Sequence, residues 1–221
     1  MNAPDDPAGD VVPTAHAALT RSDAPTAGGD RADRLGQLIV TSSADAGGRG
    51  ISSIEPEYRL DAERTISRLA TTLAGIHRVP IEPIGLRTDT SVTLGPDGLI
   101  RQAEQTTGEV GTAYRHMTRE RLLQVLREGA PAIATPPADL VLVQGSPTLA
   151  NLRFDGPDAI GFEDWSGAAL GDRYLDLAIA ARDVAAIFGP APIQAFFGEY
   201  GLELPDPVRL DWYLLAAELV A

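Results

Sequence analysis

The polar residues whose types and spacing could support chemistry are concentrated between positions 143 and 178. Ser146 and Asn151 follow an apolar run, and Asp164 ends a predicted hairpin that returns the chain to Asn151. An amide oxygen and a carboxylate that converge at one end of a hairpin suit a hard cation such as Mg²⁺. The residues leave an alternative open, in which Asn151 and Asp164 only cap turns and bond to backbone.

Periodicity predicts the elements that must position these side chains. Apolar residues at helical spacing predict a helix that ends near His77, which we assign to ordinary packing, and Thr118 can cap a second helix. The run Asp139–Val143 is typical of a buried strand, and a hairpin with its turn at 155–158 follows it. Three further stretches favour helix, namely the chain from Asp172 onward, Pro190–Tyr200 and Pro207–Val220.

Glycine and proline mark the less regular parts of the chain. Residues 84–112 are ambiguous: the Gly-Pro-Asp-Gly sequence at 95–98 predicts a turn, and the flanking Ser91–Leu94 and Gly98–Ile100 are expected to form a small hairpin or a loop. The Gly-rich stretch Asp45–Ser53 is predicted to be a plain flexible loop, and Gln37–Thr41 is a short β-rich run. Residues 1–34 contain few large apolar groups and are expected to be disordered, because they cannot offset the entropy of ordering.

Composition narrows the class of function. The 221 residues carry a net charge of -13, which argues against nucleic acid and anionic membrane as partners and favours cationic ones. The sequence has no Cys, which excludes thiol catalysis, and its three His are too scattered to suggest a zinc site. All 18 basic residues are Arg, so no residue here can supply a lysine amine. Without a signal peptide or an apolar run of about 18 residues, the expected location is the cytoplasm.

The segment 143–178 resembles the catalytic segment of the aminoglycoside phosphotransferase family, a branch of the protein-kinase-like fold. That family carries a His-Gly-Asp sequence, then four residues and an Asn. Here Gln144, Gly145 and Ser146 take the first three places, and Asn151 takes the last. The motifs that follow also match, namely Glu163-Asp164-Trp165 at the metal motif and Gly171-Asp172-Arg173 with Asp176-Leu177-Ala178 at a helix start.

The similarity extends over roughly residues 36 to 221, including Leu69–Val79 and the final helices. It implies an α+β, mostly α fold: a kinase-like C-terminal lobe with a reduced or missing N-terminal lobe. That lobe needs about 60 residues or more for its sheet and helix. We therefore expect three parts: residues 1–35 as a disordered or remnant segment, 36–55 as a hinge strand with the Gly-rich loop, and 56–221 as the lobe itself.

Departures from the family pattern bear on chemistry. The family's catalytic carboxylate is replaced by Ser146, whose hydroxyl cannot act as the general base near neutral pH. Gln144 can hydrogen-bond where the family has His, but it cannot carry charge. The resemblance implies that Asn151 and Asp164 could still hold Mg²⁺ and ATP, and that Asp176 braces the loop. Asp172 is expected to be either an N-cap or a functional residue.

The leading hypothesis is a catalytically degenerate, pseudokinase-like protein that is not active alone and requires no cofactor. It would bind a cationic small molecule, a peptide or a protein partner, as a homo-oligomer or in a complex. By analogy, natural-product peptide biosynthesis is a setting for such a subunit. The alternative is an active ATP-dependent phosphotransferase with a nonstandard catalytic loop, acting on a small-molecule or peptide hydroxyl. A third hypothesis is a subunit with a purely structural role.

Overall fold

The computed structural model describes residues 49–50, 61–81, 93–108, 110, 112–155 and 158–220. The predictions for residues 1–35 and for the hinge strand at 37–41 lie outside these residues. The helices are α1 (Ala62–His77), α2 (Pro96–Gln105), α3 (Arg119–Gly129), α4 (Tyr174–Phe188), α5 (Ile193–Tyr200) and α6 (Pro207–Val220). The strands are β1 (Arg49–Gly50), β2 (Thr93–Leu94), β3 (Val141–Val143), β4 (Leu152–Asp155), β5 (Asp158–Phe162) and β6 (Ala169–Gly171).

The ends of α1 and α3 follow from their capping residues. At the start of α1, the Asp61 side chain accepts the Arg64 N–H, and Thr118 does the same for Arg121 at the start of α3. Apolar residues at helical spacing put one face of α1 in the core. The predicted helix near His77 and the predicted cap at Thr118 are confirmed.

Helix α4 lies between two hydrophobic cores. One core takes Leu177 and Val184 from it and is shared with α1 and α5. The other takes Leu175 and Ile179 and is shared with α2, α3 and α6. A helix with apolar neighbours on both sides must itself be apolar around most of its circumference. Asp176, fully buried near its start, is therefore conspicuous.

Two small sheets flank the loop that carries the candidate residues. β4 pairs antiparallel with β5, with Leu152 opposite Phe162, which confirms the predicted hairpin. β3 pairs antiparallel with β6, and β2 adds parallel to β6. Together with the six helices of the described residues, these sheets give the α+β, mostly α fold that the sequence predicts.

The structure corrects two local predictions. Residues 96–105 form α2, not a hairpin or loop, because Pro96 occupies the first helical turn, where its missing N–H costs nothing, with Asp97 beside it. Arg49–Gly50, within the stretch predicted to be a flexible loop, forms β1 opposite Arg153 and Phe154. Strand β4 would otherwise present unpaired backbone groups on that edge.

Among the described helices, none combines the length and the apolar character needed to cross a membrane.

Candidate functional site

The loop between β3 and β4, residues 144–151, is tied to α4 by a buried carboxylate. The backbone N–H of Gln144 donates to Asp176 Oδ2 at 2.6 Å, and the N–H of Gly145 donates to Oδ1 at 2.8 Å. Asp176 is 0% exposed. A buried carboxylate is tolerated when its oxygens are hydrogen-bonded in this way. Asp176 thus occupies the bracing position that the resemblance implies.

A second carboxylate of α4 holds the far part of the same loop. The backbone N–H of Leu149 donates to Asp183 Oδ2 at 2.7 Å. Asp183 follows Asp176 by seven residues, or about two helical turns, so both carboxylates lie on one face of α4. The loop therefore takes its shape from one rigid helix at two points.

The brace is itself held by α1 and α5. His77 Nε2 lies 3.0 Å from Asp176 Oδ2, and its Nδ1 lies 2.7 Å from the Tyr200 hydroxyl. Because Asp176 accepts here, Nε2 carries the proton of this bond. Burial, the largest cause, raises the pKa of Tyr200, and the Asp176 charge adds to the rise. His77 therefore does more than pack, since it links three helices at the loop.

Gln144 has a buried side chain that connects the loop to the segment after β5. Its Nε2 donates to the Asp164 carbonyl oxygen, and its Oε1 accepts the N–H of Ser146 at 2.7 Å. The residue is 0% exposed. Its amide is thus satisfied at both ends, with an orientation fixed by one acceptor and one donor.

Ser146 and Asn151 face each other across the loop. Asn151 Nδ2 donates to the Ser146 carbonyl oxygen at 2.9 Å and lies 3.4 Å from the Ser146 hydroxyl. With Nδ2 used in this way, Asn151 Oδ1 points away from Ser146. The loop therefore offers an amide oxygen beside a neutral hydroxyl, at the place where the resembled motif has a carboxylate.

The hairpin brings Asp164 next to Asn151. Glu163 N–H donates to the Asn151 carbonyl oxygen at 2.8 Å, so the residue before Asp164 lies directly opposite Asn151. Asp164 Oδ1 accepts the Ser166 N–H at 2.9 Å. This backbone hydrogen bond, followed by one from the Ser166 side chain, lowers the pKa of Asp164. Asp164 is therefore an ionised carboxylate near neutral pH.

Two glycines bring the loops into backbone contact. Gly145 has φ +92°, and a Cβ there would lie 2.4 Å from the Gly167 carbonyl oxygen. A Cβ on Gly167 would in turn lie 3.3 Å from the Gly145 Cα. Only glycine combines this conformation with this approach. The loop of Ser146 and the segment of Asp164 are therefore fixed relative to each other by backbone as well as by Gln144.

The side-chain oxygens of Asn151 and Asp164 match the ligand preference of Mg²⁺. Mg²⁺ takes oxygen ligands and is usually bound through one or two protein groups, with phosphates and water completing the octahedron. An ionised Asp164 and the outward Oδ1 of Asn151 fit that pattern. No group of three or more His, Cys, Asp or Glu side chains suited to a metal occurs in the parts of the chain that the structure describes.

Asp172 serves a different part of the fold. Its Oδ1 accepts the Tyr174 N–H at 2.8 Å at the start of α4, and its Oδ2 accepts from Thr135 and Arg209. Arg209 also donates to the Thr135 hydroxyl at 2.9 Å. The N-cap residue of α4 is Arg173, so Asp172, predicted as an N-cap or a functional residue, lies one residue before that position. Its Oδ1 bonds to the first turn of α4 and its Oδ2 joins that helix to α6, so Asp172 supports the fold.

Sequence reasoning missed four contributors to the site. Tyr200, Asp183 and Gly167 were not singled out, and His77 was assigned to ordinary packing, although each fixes the loop or its neighbour. The spacing of seven residues between Asp176 and Asp183 on an apolar helix was a usable signal. The other three carried none, since their partners lie far away in the chain.

Comparison with known proteins gives one family. Residues 15–213 match the family described as the phosphotransferase enzyme family. An aminoglycoside 3'-phosphotransferase of Escherichia coli is 27% identical over 173 residues, which cover 77% of this chain and 62% of that protein. One of Niallia circulans is 34% identical over 98 residues, or 44% of this chain and 36% of that protein. This chain therefore spans about three fifths of the length of the Escherichia coli relative.

Solved structures give the same fold. An aminoglycoside-3'-phosphotransferase of type VIII superposes with a TM-score of 0.59 and 24% identity, covering 74% of this chain and 62% of that one. An aminoglycoside phosphotransferase of Streptomyces rimosus, in complex with ADP and streptomycin, gives 0.58 and 18% identity. That superposition covers 89% of this chain and 68% of the other.

Proposed function

The chain belongs to the phosphotransferase enzyme family, and on that premise we propose that it binds a divalent cation and nucleotide phosphates without transferring a phosphoryl group. Its site would act as a binding platform, with a cationic molecule as the second guest. One observation carries the proposal: Ser146, not a carboxylate, lies beside Asn151 in an otherwise well-braced loop.

The first half of the proposal, binding, rests on the oxygens that the loops present. Asp164 would hold the cation through its ionised carboxylate, and Asn151 through Oδ1. Mg²⁺, when bound, supplies charge neutralisation to phosphate oxygens. The braces at Asp176 and Asp183 hold the loop of Asn151, and the Gln144 side chain bonds that loop to Asp164, which lowers the entropy cost of binding.

The second half, absence of transfer, rests on proton chemistry. Attack by a hydroxyl on a phosphoryl group is helped by a base that accepts or orients its proton, which contributes roughly 100- to 10,000-fold. That corresponds to about 3 to 5 kcal/mol of barrier. Ser146 is neutral and points towards the Asn151 amide, so it supplies neither charge nor a strong acceptor. The sequence also has no Lys to bind phosphate as a compact cation.

A cationic guest follows from charge and from relatives. The chain carries -13 at neutral pH, which attracts cations over a Debye length of about 8 Å. The Streptomyces rimosus protein was solved with streptomycin. We propose that the cationic guest is an aminocyclitol or a basic peptide. We also propose that the chain works in a complex with a protein partner.

A second candidate is an active phosphotransferase of the same family. The observation that favours it is the intact framework of the loop: the two braces, the Asn151–Ser146 bond and an ionised Asp164. In that case a base other than Ser146 would orient or accept the proton of the attacking hydroxyl. The two candidates share the cation site and differ only in turnover.

Calorimetric titration of the purified chain with ADP, in the presence and absence of Mg²⁺, tests the binding half. We expect saturable binding that requires Mg²⁺ and that weakens at least about tenfold in Asp164→Asn, which loses the ionised ligand. Glu163→Gln is the matched control, because Glu163 is the adjacent exposed acid and pairs with Arg153 at 3.1 Å. Absence of Mg²⁺-dependent binding, or equal loss in both variants, would refute the cation site.

A further inference from the structure

Gln144 is held at three points, one on its backbone and two on its side chain. Its backbone N–H is held by Asp176, its Nε2 by the Asp164 carbonyl and its Oε1 by the Ser146 N–H. We infer that Gln144 is a positioning residue: its uncharged amide clamps the Asp164 segment to Ser146, and it must donate and accept at once.

The two side-chain bonds have opposite polarity, and this decides which residues could serve. The Asp164 carbonyl needs a donor, whereas the Ser146 N–H needs an acceptor. An amide provides both at every pH. A carboxylate provides only the acceptor, and an aliphatic side chain provides neither. An imidazole provides both while neutral, but its protonated form has two donors and cannot accept from Ser146.

Burial makes these bonds consequential. Gln144 is fully buried, so a broken bond leaves a buried backbone group without water to replace the partner. The clamp also acts on residues that the proposed function uses, since Asp164 is the carboxylate ligand and Ser146 lies against Asn151. In this respect the inference deepens the proposed function and rests on it for its consequence. The clamp itself is a property of the free protein.

Charged and titratable groups surround the clamp on three sides. Asp176 on α4 lies at the Gln144 backbone, His77 on α1 and Tyr200 on α5 stand behind it, and Asp164 lies beyond the side chain. These groups are common to the wild type and to every variant at position 144. A change in pH dependence that appears only in a variant therefore reports on the substituted side chain.

Amide hydrogen exchange, measured by NMR on the free, isotope-labelled chain, tests the inference without any ligand. The reporters are Ser146, bonded to Gln144, and Ser166, bonded to Asp164, each normalised to a core amide such as Ala180. In Gln144→Leu we expect the protection of both to fall about five- to tenfold, the effect of losing one hydrogen bond. In Gln144→Glu we expect Ser146 to keep its protection and Ser166 to lose it.

In Gln144→His, the pH dependence of Ser146 protection distinguishes a hydrogen-bonding role of residue 144 from a role that only fills space. We expect near wild-type protection of Ser146 at pH 8, where the introduced imidazole is neutral, and a loss of about fivefold once acid protonates it. Gln194→Leu is the matched control, because Gln194 also donates its amide to a backbone carbonyl, that of Glu203, on the surface. It should leave both reporters unchanged.

The inference is overturned by either of two results. One is unchanged Ser146 protection in Gln144→Leu. The other is a Gln144→His variant whose Ser146 protection has the same pH dependence as the wild type. If Gln144→Leu does not fold, the comparison of the Glu and His variants decides by itself. If the wild type shows no Mg²⁺-dependent ADP binding while the Gln144 variants lose protection as expected, the proposed function is refuted and the clamp stands.

Discussion

The carboxylate of Asp176 receives the backbone N–H of Gly145 at 2.8 Å, and the two residues are 31 positions apart. A buried anion on the central helix thereby fixes the conformation of a loop whose own residues are few and mostly small. Together with the bond from the Gln144 N–H, this contact holds the start of the loop in place.

Asp176→Asn should destabilise the fold by about 2 to 4 kcal/mol, because an amide cannot accept from three donors and leaves a buried N–H unpaired. Urea unfolding, with the m-value checked for constancy, measures this. Asp183→Asn is the milder comparison, since Asp183 is half-buried and the only bond at issue is that to Leu149; about 1 kcal/mol is expected there. Equal effects in the two variants would contradict the assigned role of Asp176.

Gly145→Ala should cost about 3 kcal/mol, because it adds a clash with the Gly167 carbonyl to a left-handed conformation. Gly201→Ala isolates the conformational part. Gly201 has nearly the same φ, +93°, but its Cβ would meet only the Arg78 side chain at 3.6 Å, an ordinary contact. That variant should cost about 1 kcal/mol, and thermal or urea unfolding of the pair gives the difference. Identical losses would show that the backbone contact is unimportant.

The Asp164 carboxyl should titrate below its ordinary value of 3.8, because its hydrogen bonds with Ser166 stabilise the charged form and lower the pKa. The lowered pKa means that this group stabilises the folded state above the unfolded-state pKa, and that the contribution is lost as pH falls through the folded-state value. Ser166→Ala keeps the backbone bond and should raise the midpoint only partly. A carbon-detected NMR titration follows the carboxyl directly. A midpoint at or above 3.8 in the wild type would contradict the geometry.

In Tyr213→Phe, the free energy of unfolding should fall less with rising pH in the alkaline range than it does in the wild type. Burial, followed by the nearby charge of Asp172, raises the pKa of Tyr213 well above its ordinary value of 10.0. With the folded-state pKa raised, stability is fully present below the unfolded-state value and is lost as pH rises above it. The Tyr213 hydroxyl lies near Thr135 and Asp172 but makes no hydrogen bond of ordinary geometry with a described residue, so the variant should lose little at pH 7.

Tyr200→Phe provides the contrast for that experiment. The Tyr200 hydroxyl is hydrogen-bonded to His77, so Tyr200→Phe should lose about 1 kcal/mol of folding stability at neutral pH as well. Unfolding curves recorded from pH 7 to above pH 10 separate the two tyrosines. An unchanged alkaline limb in Tyr213→Phe would show that this hydroxyl does not contribute.

Local sequence patterns predicted the helices and strands near the site, but they did not predict the contacts between residues that are far apart in the chain. The hairpin Leu152–Phe162 and α3 follow from turn residues and from the cap at Thr118, which act within a few positions. The bond between His77 and Asp176 joins residues 99 positions apart, and neither periodicity nor composition encodes it. The helix α2 was mistaken for a turn because a Gly-Pro-Asp-Gly sequence satisfies the local rules for both.

The site shows the same contrast between what the sequence predicted and what depends on packing. The resemblance singled out Asn151, Asp164 and Asp176. In the structure Asn151 lies on the loop, Asp164 on the segment after β5, and Asp176 on α4, from which it bonds to the loop. The contact of Gly145 with Gly167 depends on the packing of two loops, so no sequence rule could supply it.

The most direct test of the central claim is a transfer assay with γ-labelled ATP, Mg²⁺ and an aminoglycoside, using the purified chain alone. The account predicts no labelled product above the level of Asp164→Asn, together with intact Mg²⁺-dependent ADP binding. Labelled aminoglycoside formed in step with ATP consumption by the wild type, and abolished in Asp164→Asn, would contradict it.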